Sequence, residues 1–100
     1  MSPIAGEAAE ITVEGLVQGV GFRDFTRRHA AALALGGWVA NLPDGRVQVW
    51  AEGSREAIET LARELRRGPR HARVDRVALV WRHPAGCGPA FAIRSGGGER

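Results

Sequence analysis

The 100-residue sequence predicts an α+β domain, a split βαββαβ sandwich with two helices on one face of an antiparallel sheet. Three observations predict it. Apolar residues alternate with polar ones over residues 11–17 and 47–52, and again at Val77, Leu79 and Trp81. Two stretches of helical spacing, Phe22 to Leu33 and Ile58 to Leu65, fall between such segments. Glycine, proline and asparagine punctuate the joins, in the order strand, helix, strand, strand, helix, strand.

The first strand shows Ile11, Val13, Gly15 and Val17 on one face and Thr12 and Glu14 on the other. Gly19 and Gly21 break it. The first helix carries Phe22, Phe25, His29 and Leu33 on one stripe, with Ala30 beside them, and Gly36 and Gly37 close the segment. Trp38 to Ala40 form the second strand, ending at Asn41. Leu42-Pro43-Asp44-Gly45 reads as a turn: proline presets φ, aspartate bonds nearby backbone, and glycine accepts positive φ. The third strand alternates Val47, Val49 and Ala51 with Gln48, Trp50 and Glu52, which makes a hairpin with the second. Ser54 caps the second helix, Ile58, Leu61, Ala62 and Leu65 form its stripe, and Gly68-Pro69 ends it. A fourth strand and the loop His83 to Pro89 follow, and Phe91 and Ile93 can add a short fifth strand.

In the split arrangement the third strand lies between the first and second, which run parallel. Their C-terminal ends then share one edge of the sheet. The glycine loop and Asn41 are expected to face a common space, their strands roughly 10 Å apart. One domain over residues 11–94 is expected, with flexible ends at 1–10 and 95–100.

Composition narrows the function classes. The chain is 44% hydrophobic and 25% charged, ordinary for a globular protein. All 14 basic residues are arginine, against 11 acidic ones, for a net charge of +3. That mild field attracts a small anion more readily than it argues for nucleic acid. Arginine suits planar, two-pronged recognition of phosphate. Cys87 is the single cysteine, so no internal disulfide can form. No apolar run reaches a membrane span and no signal-like start is present, so the expectation is a cytoplasmic protein.

The chemistry concentrates in Val17 to Arg23, VQGVGFR. Gly19 and Gly21 allow successive N–H groups to point inward as an anion nest. The loop runs into a helix start, whose free N–H groups also favour an anion. Arg23 lies in the first helical turn and can return its guanidinium to the same anion. Each charge-assisted hydrogen bond contributes about 1.5–3 kcal/mol. A simple tight turn would carry the same glycines, so the spacing alone leaves both readings open. No Lys-Ser/Thr pair follows, and Asp24 stands where a dinucleotide fingerprint needs its third glycine.

Two long stretches make the loop specific. VEGLVQGVGFRDFTRRHA (13–30) and GGWVANLPDGRVQVWAEG (36–53) resemble the two signatures of the acylphosphatase family. GPRHARVDRVALVW (68–81) and FAIR (91–94) fit its later segments. The resemblance implies the ferredoxin-like split sandwich and hydrolysis of carboxyl-phosphate anhydrides to carboxylate and phosphate without cofactor or metal. Carried onto this chain, it implies that Arg23 and the amides of Gln18, Gly19, Val20, Gly21 and Phe22 bind the phosphoryl oxygens, and that Asn41 orients the attacking water. It implies a small acyl phosphate as substrate. The charge, the absence of a membrane-length apolar run and the lack of an evident interface stripe lead to the expectation of a monomer with no nucleic acid and no membrane as partner. One departure stands out. The family usually reads Leu-Gly-Leu at the end of the first helix, where this chain has Leu33-Ala34-Leu35.

The remaining candidates read as structural. Asp24 is a first-turn helix residue, Asp44 shapes the turn, His29 packs on the apolar helix face, and Cys87 is a free thiol. The cluster Arg63, Arg66, Arg67, Arg70 and Arg73 reads as a solvated face, and the three tryptophans as strand residues. Two other functions compete. An RNA-binding module would place aromatics on the first strand, where Thr12 and Glu14 stand. A non-catalytic phosphate sensor would need Arg23, but Asn41 together with Arg23 points to turnover. Against a relic of a larger carbamoyl-transfer protein, the short chain with complete motifs leads to the expectation of a stand-alone enzyme.

Overall fold

The computed structural model describes residues 6–95. Its elements are β1 (Glu7–Leu16), α1 (Phe22–Ala32), β2 (Gly36–Asn41), β3 (Val47–Gly53), α2 (Arg55–Arg67), β4 (Arg73–Arg82) and β5 (Phe91–Arg94). The sheet order is β4-β1-β3-β2-β5. β3 pairs antiparallel with both β1 and β2, which makes those two parallel, as the split arrangement requires.

The sequence patterns explain the core. Ile11, Val13, Val39, Val47, Val49 and Ala51 point from the sheet toward Phe22, Phe25 and Ala30 of α1 and Ile58, Leu61 and Leu65 of α2. All the sheet residues among these are fully buried. Val77, Leu79 and Trp81 pack partly buried against the same core. His29 is a packed histidine, its ring 4.3 Å from that of Phe25.

The local signals behave as their chemistry dictates. The Ser54 hydroxyl accepts from the Ala57 N–H at 3.1 Å and caps α2. The Gly45 N–H donates to the Leu42 carbonyl across the turn, and the Arg46 N–H donates to Asp44 Oδ1. The first helix ends in a Schellman motif. Leu35 N–H reaches Ala30 O at 2.9 Å and Ala34 N–H reaches Ala31 O at 3.1 Å. Ala34 takes the left-handed position, φ 60°, as the only non-glycine residue with positive φ among the described residues.

Three expectations need correction. The expected flexible start at residues 1–10 reaches too far, because β1 begins at Glu7. Ala8 and Ala9 are both fully buried although they face opposite sides, so the alternation that betrays a strand is lost there. The remaining terminal residues, 1–5 and 96–100, lie outside the described residues. β2 already begins at Gly36, whose paired glycines read as a helix stop. The sheet is mixed rather than antiparallel, since β5 pairs parallel with β2.

That last correction has a topological cause. β4 lies at one edge and β5 at the other, so the segment between them must cross the sheet. It crosses on the face away from the helices. Gly36 points to that face, and a Cβ there would stand 1.7 Å from the Gly88 carbonyl oxygen. The crossing backbone therefore lies directly on the sheet, where only glycine leaves room.

Ala34→Gly is expected to relieve the left-handed strain and stabilise the fold by about 1 kcal/mol. Thermal unfolding should show a midpoint about 4–8 °C higher. An unchanged or lower midpoint would contradict the strain assigned to Ala34.

Candidate active site

At the edge where β1 and β2 both end lies a cavity of about 220 Å³, bordered by Val17, Gly19, Gly21, Phe22, Arg23, Asp24, Asn41 and Ile93. It unites the glycine loop with Asn41, as the topology predicts.

The loop is held open by backbone conformation. Gly19 and Gly21 adopt φ 75° and 80°. A Cβ at either position would meet nothing within 4 Å, so the requirement is conformational, not steric. Gly21 is the N-cap of α1, and no side chain caps the helix there. The first N–H with an intrahelical partner is that of Phe25, bonded to the Gly21 carbonyl at 3.0 Å. The N–H groups of Phe22, Arg23 and Asp24 ahead of it have no intrahelical acceptor, and these residues border the cavity.

Arg23 is half-buried and already oriented. Its Nη1 donates to the Arg94 carbonyl at the end of β5, 3.1 Å away. Asn41 stands across the cavity at the end of β2. Its Oδ1 is buried and is the one such side-chain polar atom without a hydrogen-bond partner among the described residues.

Of the residues expected to bind phosphate, Gly19, Gly21, Phe22 and Arg23 border the cavity, while Gln18 and Val20 do not. Val20 packs against the hydrophobic core. The Gln18 amide donates to the carbonyls of Leu42 and Arg46, at 2.8 and 2.9 Å. It thereby ties the glycine loop to the hairpin turn that follows Asn41. Gln18 positions the two halves of the site relative to each other through its side chain. Long-range bonds to backbone carbonyls leave no sequence signature, and neither does the Arg23–Arg94 contact.

Asp24 borders the cavity but is no candidate base. It holds Arg28 and Arg27 through ion pairs of 2.8 and 3.0 Å. The Arg28 hydrogen bond, then that of Arg27, lowers its pKa below the ordinary aspartate value. Among the described residues no three His, Cys, Asp or Glu side chains gather where they could hold a metal ion. None of the described helices is long and apolar enough to cross a membrane.

Comparison with known proteins agrees with this fold. The family model Acylphosphatase matches residues 9–93. An acylphosphatase of Thermus thermophilus is 51% identical over 74 residues, which cover 74% of this chain and 84% of that protein. One from Anaeromyxobacter dehalogenans is 49% identical over 86 residues, covering 86% and 92%. The crystal structure of acylphosphatase from Bacillus subtilis superimposes with a TM-score of 0.84 at 33% identity, covering 88% of this chain and 98% of that one. Full-length HypF in its phosphate- and nucleotide-bound form superimposes with a TM-score of 0.83 at 29% identity, over 94% of this chain but 13% of that one. With a family match spanning nearly the whole described fold, and with the loop, arginine and asparagine gathered at one cavity, this chain belongs to the acylphosphatase family.

Proposed function

We infer that this chain hydrolyses the carboxyl-phosphate bond of acyl phosphates, yielding a carboxylate and inorganic phosphate. The observation that carries the reading is the meeting of Gly19, Gly21, Arg23 and Asn41 at one cavity. The loop amides and Arg23 hold the phosphoryl oxygens, and Asn41 orients the attacking water. The protein acts as a cytoplasmic monomer, without cofactor or metal, and takes neither nucleic acid nor membrane as partner.

The chemistry asks little more of the protein. Water oxygen bonds to phosphorus while the bridging P–O bond breaks, and its electron pair leaves with the carboxylate. A carboxylate is a good leaving group and needs no general acid. Phosphoryl transfer then depends on positioning and charge stabilisation. Asn41 has no usable basicity, so the water proton passes to a phosphate oxygen of the substrate. The lowered pKa of Asp24, caused first by Arg28, makes that carboxylate a still weaker base than usual. A second reading is a phosphate-binding domain without turnover, because Arg23 alone serves binding as well as turnover; the same assay separates the two.

Hydrolysis of acetyl phosphate without added metal tests the assignment. Asn41→Ala is expected to lower kcat about a hundredfold or more while phosphate still inhibits, and Arg23→Gln to lose both turnover and inhibition. A folded wild type that binds phosphate without turning over would leave only the sensor reading. Gly21→Ala forces alanine to φ 80° and should weaken phosphate inhibition about tenfold, since left-handed alanine costs about 1–2 kcal/mol. The pH-rate profile of Asp24→Asn is expected to match that of wild type. Loss of an acid limb in that variant would mean that an enzyme carboxylate takes the proton.

A further inference from the structure

Glu52 stands near the C-terminal end of β3, beside Ala8 of β1 and Gly36 of β2. It is therefore at the opposite end of the sheet from the cavity, on the face away from the helices. Its carboxylate accepts five hydrogen bonds. One comes from Trp50 Nε1 at 2.7 Å. The others come from the crossing segment: the N–H groups of Ala85 (2.6 Å), Gly86 (3.1 Å) and Cys87 (3.1 Å), and the Cys87 thiol (3.4 Å). Burial pushes the Glu52 pKa up, but the Trp50, Ala85 and Cys87 donors outweigh it and hold it down at about 2. The carboxylate is thus an anion that the segment wraps with its own amides, as a nest wraps a ligand.

The segment passes directly from this clamp to β5. The Gly88 carbonyl rests on Gly36, and the Gly37 N–H donates to the Ala90 carbonyl at 3.0 Å. β5 then has only four residues and one partly buried apolar anchor, Phe91. Ala92, Ile93 and Arg94 are exposed. Yet this short strand supplies two parts of the cavity: the Ile93 side chain on its wall, and the Arg94 carbonyl that holds the Arg23 guanidinium.

We propose that Glu52 is a positioning residue for phosphate binding: by clamping Ala85 to Cys87 it fixes β5, and β5 fixes Arg23. The proposal rests on the reading of Arg23 as the phosphate ligand. A guanidinium held in place before the anion arrives loses less freedom on binding, so loosening the clamp acts on affinity. Asn41 belongs to β2 and keeps its place, so the water-orienting half of the site is spared.

Glu52→Gln tests this, because it keeps the size of the side chain while turning an NH₂ toward a ring of N–H donors. The readouts are KM and kcat for acetyl phosphate, inhibition by inorganic phosphate, and amide hydrogen exchange. Ile58→Val, a core change in α2, serves as the control for general loss of stability. In Glu52→Gln, KM and the phosphate inhibition constant are expected to rise together about three- to tenfold, with a smaller fall in kcat. Exchange should quicken at Gly37 and in β5 but not in β1 or β3. Trp50→Phe, which removes one of the five donors and keeps an aromatic ring, should change affinity in the same direction by less. Unchanged affinity with quickened exchange in β5, or a loss no greater than in Ile58→Val at equal thermal stability, overturns the proposal. Calorimetric titration with inorganic phosphate makes the same comparison without turnover. A wild type that binds but does not hydrolyse therefore removes the catalytic reading while the Glu52 comparison still decides.

Discussion

One strand between two others sets the geometry of the site. β3 runs antiparallel to both β1 and β2, so the ends of those two strands emerge side by side at a fixed separation. The glycine loop leaves one and Asn41 ends the other. If β3 were not between them, the loop and the asparagine would crowd each other or lie at different edges. The register is secured by Ile11, Val47, Val49 and Val39, all fully buried, since a one-residue slip would turn each to the wrong face.

On that frame the cavity is braced from two directions. Gln18 ties the loop to the turn between β2 and β3, and that turn is itself shaped by Asp44 bonding the Arg46 N–H. Arg23 is tied to the end of β5. In both cases the acceptors are backbone carbonyls, whose positions are set by the sheet and its turn rather than by flexible side chains. The groups that face the cavity are thus arranged before any anion is present, which is what electrostatic stabilisation of a phosphoryl group requires.

Much of this was legible in the chain. The apolar spacing of α2, the capping Ser54 and the turn at Leu42 to Gly45 each act locally, through neighbours a few residues away, and local chemistry is what a sequence displays. Arg23 and Asn41 were legible through the resemblance of two long motifs, not through their spacing, because the same glycines suit an ordinary turn. What stayed hidden joins residues far apart in the chain. The Gln18 bonds span 24 and 28 positions, the Arg23 bond spans 71, and the Glu52 bonds to the crossing segment span 33 to 35. The start of β1 was hidden for another reason: when the crossing backbone covers the outer face of a sheet, small apolar residues on both sides erase the period of two.

The mixed sheet also settles how its borders meet the surroundings. A sheet edge carries unpaired N–H and carbonyl groups, a template for another chain. One border here is β5, only four residues long, and its last carbonyl is already taken by Arg23. The other is β4, which is longer but studded with Arg73, Asp75, Arg76 and Arg82. A neighbouring strand approaching either border would find too short a ladder or a row of charges to desolvate. The strand that completes the cavity therefore also ends the sheet, and the fold gains a guard against edge-to-edge aggregation from the same four residues.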